Sequence, residues 1–250
     1  SDSAPGRVNK WAGHFAKKIA ISFAETGSFF PKQKVAWTGQ PIRSEIEHPA
    51  ARKEALDYFK LEGDIPVILV LGGSLGAELI NNTVLDALSG LVGNYQIIHQ
   101  TGINNFQAVQ DRANVILADH PHKLRYLPLS FLGPLPLKMA AGVATIIVSR
   151  AGSMLFEIAS WGIPSILIPI TNTNLDHQKK NAFNYARSGA CSVIEEVNAT
   201  ANILSAEIER ITGDHEIYDS MAQSAKAFNK PDAAVKIAQA IVDIALSHEK

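Results

Sequence analysis

The amino-acid sequence predicts an α/β protein built on a Rossmann-like, doubly wound parallel sheet. Strand-like apolar runs at residues 66–71, 95–99, 115–118, 145–149, 165–170 and 191–194 recur between helical patterns or long loops, the alternation expected of a parallel sheet. The run at 66–71 is apolar throughout, as a central strand covered on both faces would be. Residues 145–182 give the sharpest local reading: strand, tight turn at Arg150-Ala151-Gly152-Ser153, helix to Trp161, stop at Gly162-Ile163-Pro164, second strand. A strand that feeds a helix through such a turn leaves the first helical N–H groups facing the space beyond the strand's carboxyl end. The second strand ends in a polar loop that delivers His177 and Gln178 to the same edge, with Asp176 as the expected N-cap.

Taken in order, residues 7–25 carry Val8, Trp11, Phe15, Ile19 and Phe23 near helical spacing, with Lys10, Lys17 and Lys18 between them, and predict an amphipathic helix. A short strand at 34–37 meets the turn Thr38-Gly39-Gln40-Pro41, and Arg43 follows. The planar fork of an arginine there suits a diphosphate as well as it suits solvent. A helix over 49–59 leads through Glu62-Gly63-Asp64 into the 66–71 strand, which ends in Gly72-Gly73-Ser74-Leu75-Gly76. Gly73 and its neighbours permit close backbone approach, and Ser74 is placed to cap a helix over 77–89. The stretch 128–136 reads as an irregular loop rich in proline and glycine that exposes Phe131 and Leu132 to clamp a flat ring. Helical patterns at 201–211, 217–228 and 233–247 complete the chain.

Composition narrows the partners. With 23 basic and 24 acidic residues the formal net charge is -1, which gives no bulk electrostatic case for nucleic acid. The single cysteine, Cys191, sits in an apolar run and reads as a buried thiol in a reducing compartment. No apolar stretch approaches the ~20 residues of a membrane span, so a peripheral or unanchored protein is expected. The chain starts at Ser1 without methionine, and a preceding segment is expected. Asp119-His120-Pro121-His122 reads as a loop with no partner cluster, so neither a metal site nor a cofactor is expected. No nucleophile triad or paired-carboxylate spacing is present, and the polar rim reads as a binding edge. Glu157, one turn into its helix, is suited to accept bonds from two vicinal hydroxyls.

Read together, PGRVNKW at 5–11, TGQPIR at 38–43, GGSLGAELIN at 72–81, HQTG at 99–102, SRAGS and FE within 149–157, and DHQKKNA at 176–182 resemble the MurG family. The resemblance implies a two-domain GT-B glycosyltransferase architecture, of which this chain matches the C-terminal, donor-binding domain and the end of the N-terminal one. It implies transfer of N-acetylglucosamine from UDP-GlcNAc to undecaprenyl-diphosphate-linked muramoyl-pentapeptide at the cytoplasmic face of the plasma membrane, in peptidoglycan synthesis. Residues 1–43 then belong to the acceptor domain and linker, 44–230 to the UDP-GlcNAc-binding domain, and 231–250 to a helix that packs back on the acceptor domain.

By the same resemblance Arg43 and Ser74 face the donor diphosphate, and the Leu132 backbone faces uracil. Ser153, Met154 and Leu155 line the nucleotide, Glu157 takes the ribose hydroxyls, and Gln178 reaches the sugar. Asp2, at a position of an asparagine near the sugar, Gly73 and His177 are further candidates. The family's glycine-rich loop and acceptor-side histidine are not matched in these residues, so no catalytic base is assigned among His14, His99 and His177. Two other readings share the donor: a non-catalytic UDP-GlcNAc-binding module, and a GT-B-like UDP-GlcNAc 2-epimerase.

Overall fold

The structure, a computed structural model, describes residues 2–73, 77–171 and 176–247. The chain opens with α1 (Arg7–Phe15), β1 (Ile19–Ile21) and β2 (Val35–Trp37), and the two strands pair in parallel as a small sheet of their own. The helix expected over 7–25 therefore ends ten residues early by sequence number, at Phe15 against 25. Ile19 and Ile21 go to strand pairing, and the Phe23 ring packs edge-on against Phe156 at 5.1 Å and Phe228 at 5.9 Å. Tertiary pairing overrides the local helical period here, and Val8, Trp11 and Phe15 are left exposed on α1.

The main sheet follows from α2 (Arg52–Phe59) onward: β3 (Val67–Leu71), α3 (Glu78–Asn94), β4 (Gln96–Gln100), α4 (Phe106–Ile116), β5 (Tyr126–Leu129), α5 (Pro134–Val143), β6 (Ala144–Ser149), α6 (Met154–Trp161), β7 (Ser165–Leu167), α7 (His177–Ala186) and β8 (Cys191–Val193). Helices α8 (Ala201–Thr212), α9 (His215–Phe228) and α10 (Ala233–Leu246) close the chain. All five strand pairings are parallel, in the order β5-β4-β3-β6-β7-β8. The chain winds outward from β3 to β5 and then returns to lay β6 on the other side of β3. The crevice beyond the carboxyl ends of β3 and β6 is therefore a topological switch point, where open α/β sheets hold ligands.

Strand β3 shows why the run at 66–71 is apolar throughout. Ile68 and Val70 join one buried cluster with Ile80, Leu88 and Ile208, while Val67, Leu69 and Leu71 join another with Ala55, Leu137 and Ala140. Alternate residues thus face helices on opposite sides of the sheet.

Three local expectations are corrected. Residues 115–118 are not a strand: they end α4 and its following turn, with Val109 and Ala113 buried and Val115 exposed, because a short apolar run at a helix end has no period that separates it from a strand. The proline-rich stretch 128–136 is not irregular. Pro128 lies on β5, an edge strand where its missing N–H is tolerated, and Pro134 begins α5, where that N–H would have no helical partner. Asp176 does not cap α7 through its side chain; its backbone is left-handed, with φ at 48°.

Candidate functional site

A cleft of about 470 Å³ opens at the carboxyl ends of β3, β4, β6 and β7. Its floor comes from the turn after β3. Gly73 lines it with φ at 84°, the left-handed region that favours glycine. Gly72 lies so close to its neighbours that an added Cβ would sit 3.1 Å from the Ala77 nitrogen and 3.2 Å from the Gln100 carbonyl. Ser74, expected at the diphosphate, lies outside the described residues.

The turn after β6 supplies Ser149, Arg150, Gly152, Ser153 and Met154. Ser149 donates its hydroxyl to the Leu71 carbonyl at 3.1 Å and ties the two turns together. Ser153 has helical dihedrals and makes no capping bond. The amides of Leu155 and Phe156 turn back onto the carbonyls of Gly152 and Ser153, at 3.3 and 3.1 Å, so the start of α6 is tighter than a regular helix.

Arg43, on the segment between β2 and α2, lines the cleft. Its Nε and Nη2 donate to both carboxylate oxygens of Glu157, at 2.9 and 3.1 Å. That bond raises the guanidinium pKa further against the opposing effect of partial burial. Gln178, in the first turn of α7, lines the cleft while its Oε1 accepts the Ile170 amide at 3.2 Å. Beside it, the buried Nδ1 of His177 has no partner among the described residues.

Leu132 also lines the cleft, whereas Leu155 and Asp2 fall elsewhere. Leu155 is fully buried with Phe23, Phe156 and Tyr185, so its side chain faces the core and not the cleft as expected; helical period turns it away from Met154. Leu132 is 2% exposed and not the open clamp the loop reading implied. Only its neighbour Phe131 projects, half-exposed, at the cleft wall. Asp2 accepts from Asn181 Nδ2 at 3.1 Å and lines a separate cavity of about 300 Å³ beside α1.

Besides Ser149, sequence reading missed two polar residues of the cleft. Arg150 donates to the Ile168 carbonyl at 2.9 Å and pairs with Glu196 at 2.6 Å. Glu196 also takes the amide and hydroxyl of Thr171. Burial pushes the Glu196 carboxyl up, and the Thr171 and Arg150 bonds outweigh it and hold it below its ordinary range. Gln100, the last residue of β4, is the second. Its place at a strand's carboxyl end in HQTG was the available signal.

His99, one residue earlier, is wholly buried: its Nε2 meets Asn81 Oδ1 at 3.0 Å and its Nδ1 the Tyr126 hydroxyl at 2.9 Å. Asn81 donates its own Nδ2 to the Thr101 carbonyl, which leaves Oδ1 toward the ring, so His99 Nε2 carries the proton and Nδ1 accepts. Burial pushes this imidazole down to about 3. In the 119–122 loop, His120 Nδ1 accepts the His122 amide at 3.2 Å. Among the described residues no group of three or more His, Cys, Asp or Glu side chains is gathered as metal ligands would be.

Comparison with known proteins bears on this cleft. Residues 67–237 match the model of the glycosyltransferase family 28 C-terminal domain. The UDP-N-acetylglucosamine--N-acetylmuramyl-(pentapeptide) pyrophosphoryl-undecaprenol N-acetylglucosamine transferase of Pediococcus pentosaceus is 36% identical over 235 residues, 93% of this chain and 63% of that protein. The crystal structure of Acinetobacter baumannii MurG superposes with a TM-score of 0.72 at 26% identity, covering 97% of this chain and 64% of that one. A UDP-GlcNAc 2-epimerase of Neisseria meningitidis, solved with UDP-GlcNAc, shares the fold at a TM-score of 0.66 and 15% identity, covering 96% of this chain and 64% of that one. The chain thus spans 63% of the length of the Pediococcus relative. It belongs to glycosyltransferase family 28, whose C-terminal domain it carries, and within it to the MurG family.

Proposed function

We propose that this chain binds UDP-GlcNAc and supplies the donor half of a transferase that moves N-acetylglucosamine onto undecaprenyl-diphosphate-linked muramoyl-pentapeptide. The observation that carries the reading is the convergence of Arg43, Gly73, Ser153, Met154 and Gln178 on one cleft at the switch point of the sheet. Such a crevice suits a nucleotide with its diphosphate near helix starts. The Pediococcus relative is named for this transfer.

In this reading the Nη1 edge of Arg43, which Glu157 does not occupy, meets the diphosphate. Glu157 accepts from ribose through its remaining lone pairs, and Gln178 Nε2 donates to the sugar. The reaction is direct displacement at the anomeric carbon with inversion: the acceptor hydroxyl attacks, the bond to the diphosphate oxygen breaks, and UDP leaves. Arg43 stabilises the charge that grows on the leaving oxygen. Residues 1–43 and the apolar face of α10, where Val235, Ile241 and Leu246 are exposed, belong against the acceptor-binding part of the enzyme. The whole enzyme works peripherally at the cytoplasmic face of the plasma membrane, in cell-wall synthesis; among the described residues no helix is long and apolar enough to span it.

The test is to supply these 250 residues with UDP-GlcNAc and a lipid-linked muramoyl acceptor. Donor binding without transfer is expected, because the nucleophile is aligned only in a cleft between two domains. Adding the N-terminal half of a family member, fused or in trans, is expected to restore transfer. Turnover by these residues alone would place a catalytic base within them, with His177 the first to mutate.

A further inference from the structure

Gln100 is 4% exposed and lines the cleft together with Leu71, Leu132 and Leu137 of one buried cluster. Its Oε1 accepts the Leu132 amide at 3.1 Å, a buried bond across 32 positions. A backbone N–H only donates, so this bond fixes which way the side-chain amide points: Oε1 toward Leu132 and Nε2 away from it. Nε2 makes no hydrogen bond among the described residues, although Gln100 lines the cleft. Those two N–H groups, unpaired among the described residues and at the wall of the cleft, are available to an acceptor on a ligand. Phe131, exposed next to Leu132, provides a ring face at the same wall.

We propose that Gln100 is a base-reading residue: it anchors the Leu132 backbone with its carbonyl and presents Nε2 to a ring carbonyl oxygen of a nucleobase held between Phe131 and the leucines. The inference rests on the donor reading above and adds to it the group that recognises the base. A donor at this point suits a ring that carries an oxo group there; adenine has no oxo group and offers acceptors only at its ring nitrogens. Only the Gln100 backbone carbonyl meets the Gly72 turn, whose amide it accepts at 3.3 Å, so the effect of changing its side-chain amide is expected to be confined to ligands that contain the base.

The experiment is calorimetry with UDP, uridine, inorganic pyrophosphate, and the 2-thio and 4-thio analogues of UDP. The wild-type chain is expected to bind one of the thio analogues about tenfold more weakly than UDP, because sulfur is the poorer acceptor. Gln100→Met, close in volume, is expected to lose about tenfold for UDP and for uridine, to change pyrophosphate less than twofold, and to bind UDP and the thio analogues alike. Equal binding of UDP and both thio analogues by the wild-type chain overturns the proposal without any variant. An equal loss for UDP, uridine and pyrophosphate in a folded Gln100→Met chain overturns it too, since that marks damage to the whole cleft. If the wild-type chain binds no UDP, the donor reading itself falls. If it binds UDP but fails these comparisons, only the assignment of Gln100 falls.

Discussion

Arg43 and Glu157, 114 positions apart, are joined by a two-pronged ion pair at 2.9 and 3.1 Å. Glu157 is the more enclosed partner, 13% exposed against 47% for Arg43. The sequence reading gave these residues to different parts of a ligand, the diphosphate and the ribose. The pair makes them one device: the carboxylate on α6 holds the guanidinium that lines the cleft.

Arg43→Lys keeps the charge and loses the fork. UDP binding is expected to weaken about tenfold and uridine binding to stay within twofold, on the scale of a lost bond to a charged group. Glu157→Ala is expected to weaken UDP by about 1.5–3 kcal/mol, and in a cycle of wild type, Arg43→Ala, Glu157→Ala and the double alanine variant the double loss is expected to fall short of the sum of the two single losses. Titration of the four proteins checks this. Strict additivity would show that the two residues act on the ligand separately.

Adjacent residues at the start of α6 are expected to separate stability from binding. Leu155→Ala removes a fully buried side chain from the cluster with Phe156 and Tyr185, at a cost of about 2–5 kcal/mol. Met154 is only partly buried and lines the cleft. Met154→Ala is therefore expected to cost less stability and more UDP affinity, as urea titration and calorimetry would show. A larger destabilisation from Met154→Ala would reverse the assignment of the two faces.

The buried His99 sets a pH dependence. Its folded pKa, pushed to about 3 by burial, lies below the ordinary 6.5, so the unfolded chain binds the proton more readily. The stability it contributes is full above about pH 6.5 and is lost as pH falls toward 3, by up to about 1.4 kcal/mol per unit. Urea midpoints between pH 7.5 and 4 are expected to fall, and to fall less steeply in His99→Gln. Parallel curves for the two proteins would remove His99 as the cause.

Much of the fold is legible in the chain because its local signals agree with their tertiary settings. Residues 67–71 are apolar throughout and are covered on both faces, and Gly162 stops α6 in a left-handed backbone as its place suggests. The misreadings arise where a distant partner decides. Ile19–Ile21 becomes a strand because β2 pairs with it, and Tyr126–Leu129 tolerates Pro128 because it lies at an edge. The cleft divides in the same way. Gly73, Ser153, Met154 and Gln178 sit in strand-to-helix turns and can be found locally, whereas Gln100 and Arg150 gain their roles through Leu132 and Glu196, 32 and 46 (196 − 150) positions away. Spacing alone carries no trace of such pairings.

The central claim, that the cleft holds a uridine diphosphate sugar, is tested most directly by calorimetry of the 250-residue chain with UDP, UDP-GlcNAc and ADP at one pH and salt concentration. Saturable heats with UDP and UDP-GlcNAc, and at least tenfold weaker binding of ADP, are the expected result. Equal affinity for UDP and ADP, or no heat with any of the three, would contradict it.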